Sequence, residues 1–100
     1  MVTAKFKVES ITLTAGSRAV LDEKGVPKKD DKGYYVTEPC EMRSIKMHPV
    51  YGNGDPHHEN TKFWQSTPSG EFRLDCVNAA ASEQFKVGQE WLLQMTCTKP

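Results

Sequence analysis

One hundred residues are enough for one domain with a single core and leave no room for a second. Thirteen basic residues cancel thirteen acidic ones, so the basic excess that drives general phosphate-backbone binding through counterion release is missing. The 37% hydrophobic content and a mean hydropathy of −0.62 suit a soluble domain with one thin core, and the longest uninterrupted apolar run, Trp91-Leu92-Leu93, is far too short to span a membrane.

The three cysteines Cys40, Cys76 and Cys97 are odd in number and contain no Cys-x-x-Cys, which argues against a disulfide framework. The opening MVTAKFKVES carries no apolar stretch of signal-peptide length. Together these features lead us to expect a reduced, cytosolic protein whose thiols are buried and inert.

Ala4 to Leu13 reads as a strand. Phe6 and Val8 share one face while Ile11 and Leu13 share the other, so the apolar phase slips by one near Glu9-Ser10. One extra residue in a ladder produces such a slip, which predicts a β-bulge or a crossing between sheets. Arg18 to Leu21 predicts a short strand, and Tyr34 to Thr37 its return. Between them lies DEKGVPKKDDKG, whose mixed charges, glycines and proline suit an exposed loop or hairpin tip. The pair forms a hairpin protruding from the body.

Glu41 to Val50 is the next strand, with Ile45 and Met47 on one face, and Pro49 ends it or places it at an edge. Asp55-Pro56 has the form of an N-cap followed by proline in the first helical turn, predicting a short helix to Gln65 with Phe63 and Trp64 turned inward. Thr67-Pro68-Ser69-Gly70 fits a type I turn. Glu71 to Val77 alternates cleanly, with Phe72, Leu74 and Cys76 inward. Asn78 can cap a helical turn through Gln84 with Phe85 as its anchor, and Lys86 to Gln89 turns the chain again. Glu90 to Thr98 is the last strand, with Trp91, Leu93, Met95 and Cys97 on one face. No internal repeat or low-complexity tract stands out. The fold class expected is mainly β: a small antiparallel barrel or two-sheet roll of five or six strands with one or two short helical turns. It forms a single domain over residues 1–100, with the protruding hairpin at about residues 17–41.

Two stretches, ENTKFWQSTPSGEFRLDCVN and FKVGQEWLLQMT, resemble a group of small uncharacterised proteins of tailed bacteriophages. The shared positions are Pro49-Val50-Tyr51-Gly52, Glu59-Asn60, Lys62-Phe63-Trp64, Thr67-Pro68-Ser69-Gly70, Asn78, Phe85 and Gly88-Gln89-Glu90-Trp91. Thr61, intervening between Asn60 and Lys62, and Val87, where proline is usual, depart from the pattern, and residues 17–41 stand as an insertion. The resemblance implies a phage source, with the host cytoplasm or the virion as location, and a shared architecture. It implies no activity.

The chemistry-bearing residues support the same restraint. His48, His57 and His58 with Asp55 and Glu59 form the one metal-like cluster, but adjacent histidines cannot both turn into one site and the spacing matches no zinc pattern. Cys76 and Cys97 take inward strand positions that a small barrel can bring side by side, and Cys40 has no base paired with it. Ser69 lacks the Gly-x-Ser-x-Gly elbow, and Gly52-Asn53-Gly54 is too short for a phosphate loop. No cofactor is expected, and the chain reads as a non-enzyme.

Two binding surfaces remain. A protein interface would use the protruding hairpin and the last strand, through Lys28, Lys29, Tyr34, Tyr35 and Leu92, toward another copy of the chain or a phage structural protein. Leu92, opposite Trp91 and Leu93, would then be covered. The alternative is a patch for single-stranded DNA or a signalling nucleotide, built from Lys5, Lys7, Arg43, Lys46, Tyr51 and Arg73 beside aromatic side chains.

Overall fold

A computed structural model describes all 100 residues. Four strands, β1 (Val2–Ala19), β2 (Thr37–Pro49), β3 (Phe72–Cys76) and β4 (Glu90–Met95), form one open antiparallel sheet in the order β3-β2-β1-β4. Two short helices, α1 (Glu59–Trp64) and α2 (Ala79–Ser82), lie in the connections. The fold is mainly β, as the alternation predicts, but it is neither a barrel nor a two-sheet roll of five or six strands. Arg18–Leu21 and Tyr34–Thr37 do not form a separate strand pair. They belong to the far ends of β1 and β2 and to the tip that joins them, which leaves four strands and two separate sheet edges.

The slip near Glu9 is a bulge. Val8 faces Met47 and Ser10 faces Lys46, so two steps along β1 meet one step along β2. It keeps Phe6, Val8, Ile11 and Leu13 on one face of the sheet although their sequence phase changes. Ile45, Met47, Phe72, Leu74, Trp91 and Leu93 share this face through their register partners.

The core sits there. Ala4, Phe6, Val8, Ile45 and Met47 are buried, and Trp64, Phe72, Leu74, Phe85, Trp91 and Leu93 pack around them. Phe6 lies 6.1 Å from the rings of both Trp64 and Phe72, and Phe85 lies 4.4 Å from Trp91, within the range where tilted aromatic pairs attract. Only eight residues of the hundred are buried, so the core is a single layer of side chains under an open sheet.

Beyond the bulge β1 loses β4, and β2 loses β3 after Arg43. β4 pairs with β1 only from Val2 to Lys7, and β3 pairs with β2 only from Arg43 to Met47. The remainder, Thr14–Ala19 with Thr37–Met42, is a two-stranded arm with no strand on either edge, although Val77 and α2 lie beside it. At about 3.3 Å per residue the arm reaches about 20 Å. The molecule measures 59 × 34 × 19 Å with a radius of gyration of 18.2 Å, well above the ~13 Å of a compact hundred-residue domain. Pro39 lies opposite Ser17 inside β2, past the end of β3, where its missing N–H deprives no neighbour.

The other local expectations fare unevenly. α1 begins at Glu59 and not at Pro56. Its cap is His58, in extended conformation, whose Nδ1 accepts from the Asn60 N–H at 3.1 Å. Asp55 instead closes the preceding turn through the His57 N–H and, by its carbonyl, the His58 N–H. Trp64 turns inward, whereas Phe63 is exposed. Thr67–Gly70 is not closed by a turn hydrogen bond; Trp64 Nε1 donates to the Ser69 carbonyl at 3.1 Å and holds this segment instead. Lys86–Gln89 is a true turn, with the Gln89 N–H on the Lys86 carbonyl and Gly88 at φ +91°, the positive value a type II turn needs at its third position. Asn78 caps α2 by accepting from Ala80. β4 ends at Met95, so Cys97 is exposed and not in the core, and Cys76 lies on β3 at the other end of the sheet order.

Candidate functional site

The arm ends in a clover-shaped tip. Three backbone hydrogen bonds run in a ring: the Val20 N–H donates to the Val36 carbonyl, Val36 to Lys28, and Lys28 to Val20, at 2.8–3.0 Å. The three residues are spaced eight apart. Three hairpins radiate from the ring: the arm itself, a first leaf closed by the bridge Leu21–Pro27, and a second closed by Lys29–Tyr35.

The two leaves have the same internal wiring. In the first, Asp22 Oδ1 accepts from the N–H groups of Lys24 and Val26. In the second, Asp30 Oδ1 accepts from those of Lys32 and Tyr34. Gly25 and Gly33 take φ of +78° and +85° at the position where the backbone must turn left-handed. The Asp side chain satisfies donors that no neighbouring strand can reach, which is the usual service of aspartate in tight turns. The stretch 20–36 thus holds an internal repeat, Asp-x-Lys-Gly at an eight-residue interval, which the sequence reading missed. Its signal was present in DEKGV and DDKGY but masked by Pro27 and the tyrosines.

Of the residues expected at a protein interface, Lys28, Lys29, Tyr34 and Tyr35 come together in this tip. Tyr34 and Tyr35 are 69% and 62% exposed, and the Lys29 ammonium lies 5.0 Å from the Tyr35 ring centroid, within cation–π range. Leu21 and Val26 add exposed apolar surface on the first leaf. Leu92 lies elsewhere, on β4 at the base of the sheet opposite Lys5, and is 46% exposed, uncovered by the hairpin.

The basic residues of the alternative reading are divided. Lys5, Lys7, Lys46 and Arg73 share the face opposite the core, while Arg43 shares the core-side face and Tyr51 lies beside α1. Lys46 sits 3.7 Å from Glu9 and 3.6 Å from Glu71, and Lys7 faces Glu90 across β4. Arg73 grips Asp75 with two nitrogens at 3.2 and 3.1 Å. A hydrogen bond from Ser44 first, then the Arg73 pair, holds the Asp75 carboxyl below its ordinary range, and Asp75 in turn holds the Arg73 guanidinium more firmly protonated. On the arm, the Glu38 hydrogen bond and charge do the same for Arg18 at 2.8 Å. The opposite face is therefore a mosaic of opposite charges.

A second construction fixes the base of the sheet. Where β2 leaves β1 at Pro49, Asn60 from α1 takes its place. Its Oδ1 accepts from the Lys5 N–H at 2.6 Å, and its Nδ2 donates to the carbonyls of Lys5 and Val50 at 2.7 and 2.6 Å. The amide thus acts as one further residue of ladder and is completely buried. Gly52 permits the fit, since a methyl there would stand 2.5 Å from Thr61 Oγ1. The Asn60 and Gly52 positions of the resembling pattern thus serve architecture.

Beside α1 a shallow hollow of about 240 Å³ is lined by Tyr51, Gly52, Gly54, Thr61, Gln65, Ser66, Thr67 and Pro68, and brings in no carboxylate, histidine, lysine or thiol. His48 lies near Glu9, while His58 caps α1. No three metal-ligating side chains converge. No helix is long and apolar enough to cross a membrane. Comparison with protein-family models, with curated proteins and with solved structures finds no match.

Proposed function

We propose that this chain is a non-enzymatic protein of a tailed bacteriophage that works through a protein interface, with the arm and its clover tip as the contacting element and the virion as its place of action. The observation that carries the reading is the arm. A hundred-residue chain that packs only eight residues away from water still carries its two central strands six residues, about 20 Å, past the last rung of the sheet, with Val77 and α2 alongside. Isolated two-stranded ribbons are marginal in water, so a partner that covers the ribbon supplies what the chain itself does not. The exposed Tyr34, Tyr35, Leu21 and Val26 at its end are of the amphipathic and apolar kind that anchors interfaces. The phage assignment rests on the sequence resemblance. The ion pairs that engage Lys46 and Arg73 on the sheet face favour a protein interface over phosphate binding.

Mass spectrometry of purified particles tests the reading. The chain is expected among the particle proteins, and a photo-crosslinker at Tyr34 or Tyr35 is expected to link it to a structural protein of the particle. Absence from particles sinks the virion assignment. A thermal shift on adding short single-stranded oligonucleotides would favour nucleic-acid binding instead, because a ligand that binds only the folded state raises its stability.

A further inference from the structure

The hollow beside α1 is set apart by the chemistry of its walls. Charged residues make up 26% of the chain, yet no charged side chain lines the hollow. Three segments meet there. Tyr51–Gly54 forms one wall, and Thr61 on α1 forms the floor, with its Oγ1 standing over Gly52. Gln65 ends α1 at φ +53° and turns Ser66–Pro68 back as the third side. Tyr51 is 61% exposed. The side-chain hydrogen bonds of this region belong to Asp55, His58, Asn60 and Trp64. The side chains of Tyr51, Thr61, Gln65, Ser66 and Thr67 take part in none of them, so their hydroxyl and amide groups are open to a ligand.

We propose that this hollow binds a neutral, hydroxyl-rich ligand, one pyranose ring of a sugar. Hydroxyl and amide side chains both donate and accept hydrogen bonds, which matches the hydroxyls of a sugar with no charge on either side. The exposed tyrosine face carries the negative part of a quadrupole, on which the C–H face of a pyranose ring stacks. A charged ligand would give up part of its water shell and find no counter-charge in the walls. A nucleotide brings phosphate, and Lys62, the one cation on α1, lines a different surface with Val2, Glu59 and Phe63. The walls are also set before any ligand arrives. Asn60 ties α1 to β1, and Trp64 Nε1 holds the Ser69 carbonyl, so little ordering remains to oppose binding. The site makes no use of the arm and goes beyond the interface reading.

An NMR titration of the full chain with glucose, galactose and N-acetylglucosamine tests it, with inorganic phosphate and adenosine monophosphate as charged controls. At least one sugar is expected to shift the amides of Tyr51–Gly54, Thr61 and Gln65–Thr67 saturably, with a Kd on the order of 1 mM. The amides of the tip, Val20–Val36, are expected to stay still. Tyr51→Ala and Gln65→Ala should each weaken binding about tenfold or more. The Lys5 and Asn60 resonances should keep their positions in both variants, which shows that the base is still folded. The absence of any sugar-induced shift overturns the proposal. So do shifts centred elsewhere, shifts that both variants retain, and a stronger response to phosphate or to the nucleotide. A sugar-binding chain absent from particles would overturn the virion assignment and leave this site standing; a particle protein with no sugar-induced shift would do the reverse.

Discussion

The same two strands, β1 and β2, are built in two ways. At the base they are the centre of a four-stranded sheet, with Val8, Ile45 and Met47 essentially removed from water. Beyond the Leu13–Arg43 rung, where Leu13 is already 54% exposed, they continue as a two-stranded ribbon. Apart from the bulge at Glu9, β1 and β2 pair along their whole shared length, so secondary structure does not distinguish the halves; burial does. Hydrogen bonding sets the shape of both, while apolar burial stabilises only one, since a backbone hydrogen bond exchanged with water contributes little net. The arm therefore depends on local devices, the Asp22 and Asp30 turns and the main-chain ring, and the base depends on packing closed by Asn60.

The largest break in this comparison is expected from Asn60→Ala. It leaves the half-buried Lys5 N–H and Val50 carbonyl without their Asn60 partner, and each such loss costs roughly 1–3 kcal/mol. Chemical denaturation should show a loss of about 3 kcal/mol, with the whole sheet unfolding at lower denaturant. A smaller and local effect is expected from Asp22→Ala. Amide exchange at Lys24 and Val26 should rise about tenfold, as the loss of one capping interaction of about 1.4 kcal/mol would give. Lys32 and Tyr34 in the other leaf, and the global unfolding midpoint, should stay unchanged. If Asp22→Ala lowered global stability as Asn60→Ala does, the division between locally and globally held halves would be wrong.

The smallest effect concerns pH. The folded-state pKa of Asp75 is depressed below 3.8 by Ser44 and then Arg73. Its contribution is therefore fully present above the unfolded value and lost as pH falls through the folded one. A carboxyl-carbon NMR titration should place its midpoint below 3.8 and move it upward in Ser44→Ala. Because the group is exposed, global stability should hardly follow.

These differences also explain what the sequence could reveal. Alternation at Phe72-Leu74-Cys76 and the phase slip at Glu9 report side-chain direction, so strands, bulge and core face were legible. Closure was not, because period-2 patterning is the same in a barrel and an open sheet, and strand lengths past the bulge depend on which neighbours stop pairing. The tip residues Lys28, Lys29, Tyr34 and Tyr35 could be placed together because they are close in the chain. Leu92 could not be placed apart, since its position follows from β4 pairing with the base of β1. Asn60 was invisible as a keystone because its partners are main-chain groups of Lys5 and Val50, 55 and 10 residues away, and main-chain groups leave no residue-type signature.

The eight-residue spacing of the ring Val20–Lys28–Val36 has a consequence for how such an arm can change length. Excising residues 21–28 would join Val20 to Lys29 and leave an ordinary hairpin in which Val20 still faces Val36 and Lys29 still faces Tyr35. Excising residues 29–36 would leave Leu21 facing Pro27 with the arm equally undisturbed. A leaf is thus a removable module whose loss or gain leaves the reading of every other residue intact. The tip can be diversified in units of eight while the sheet beneath it stays the same.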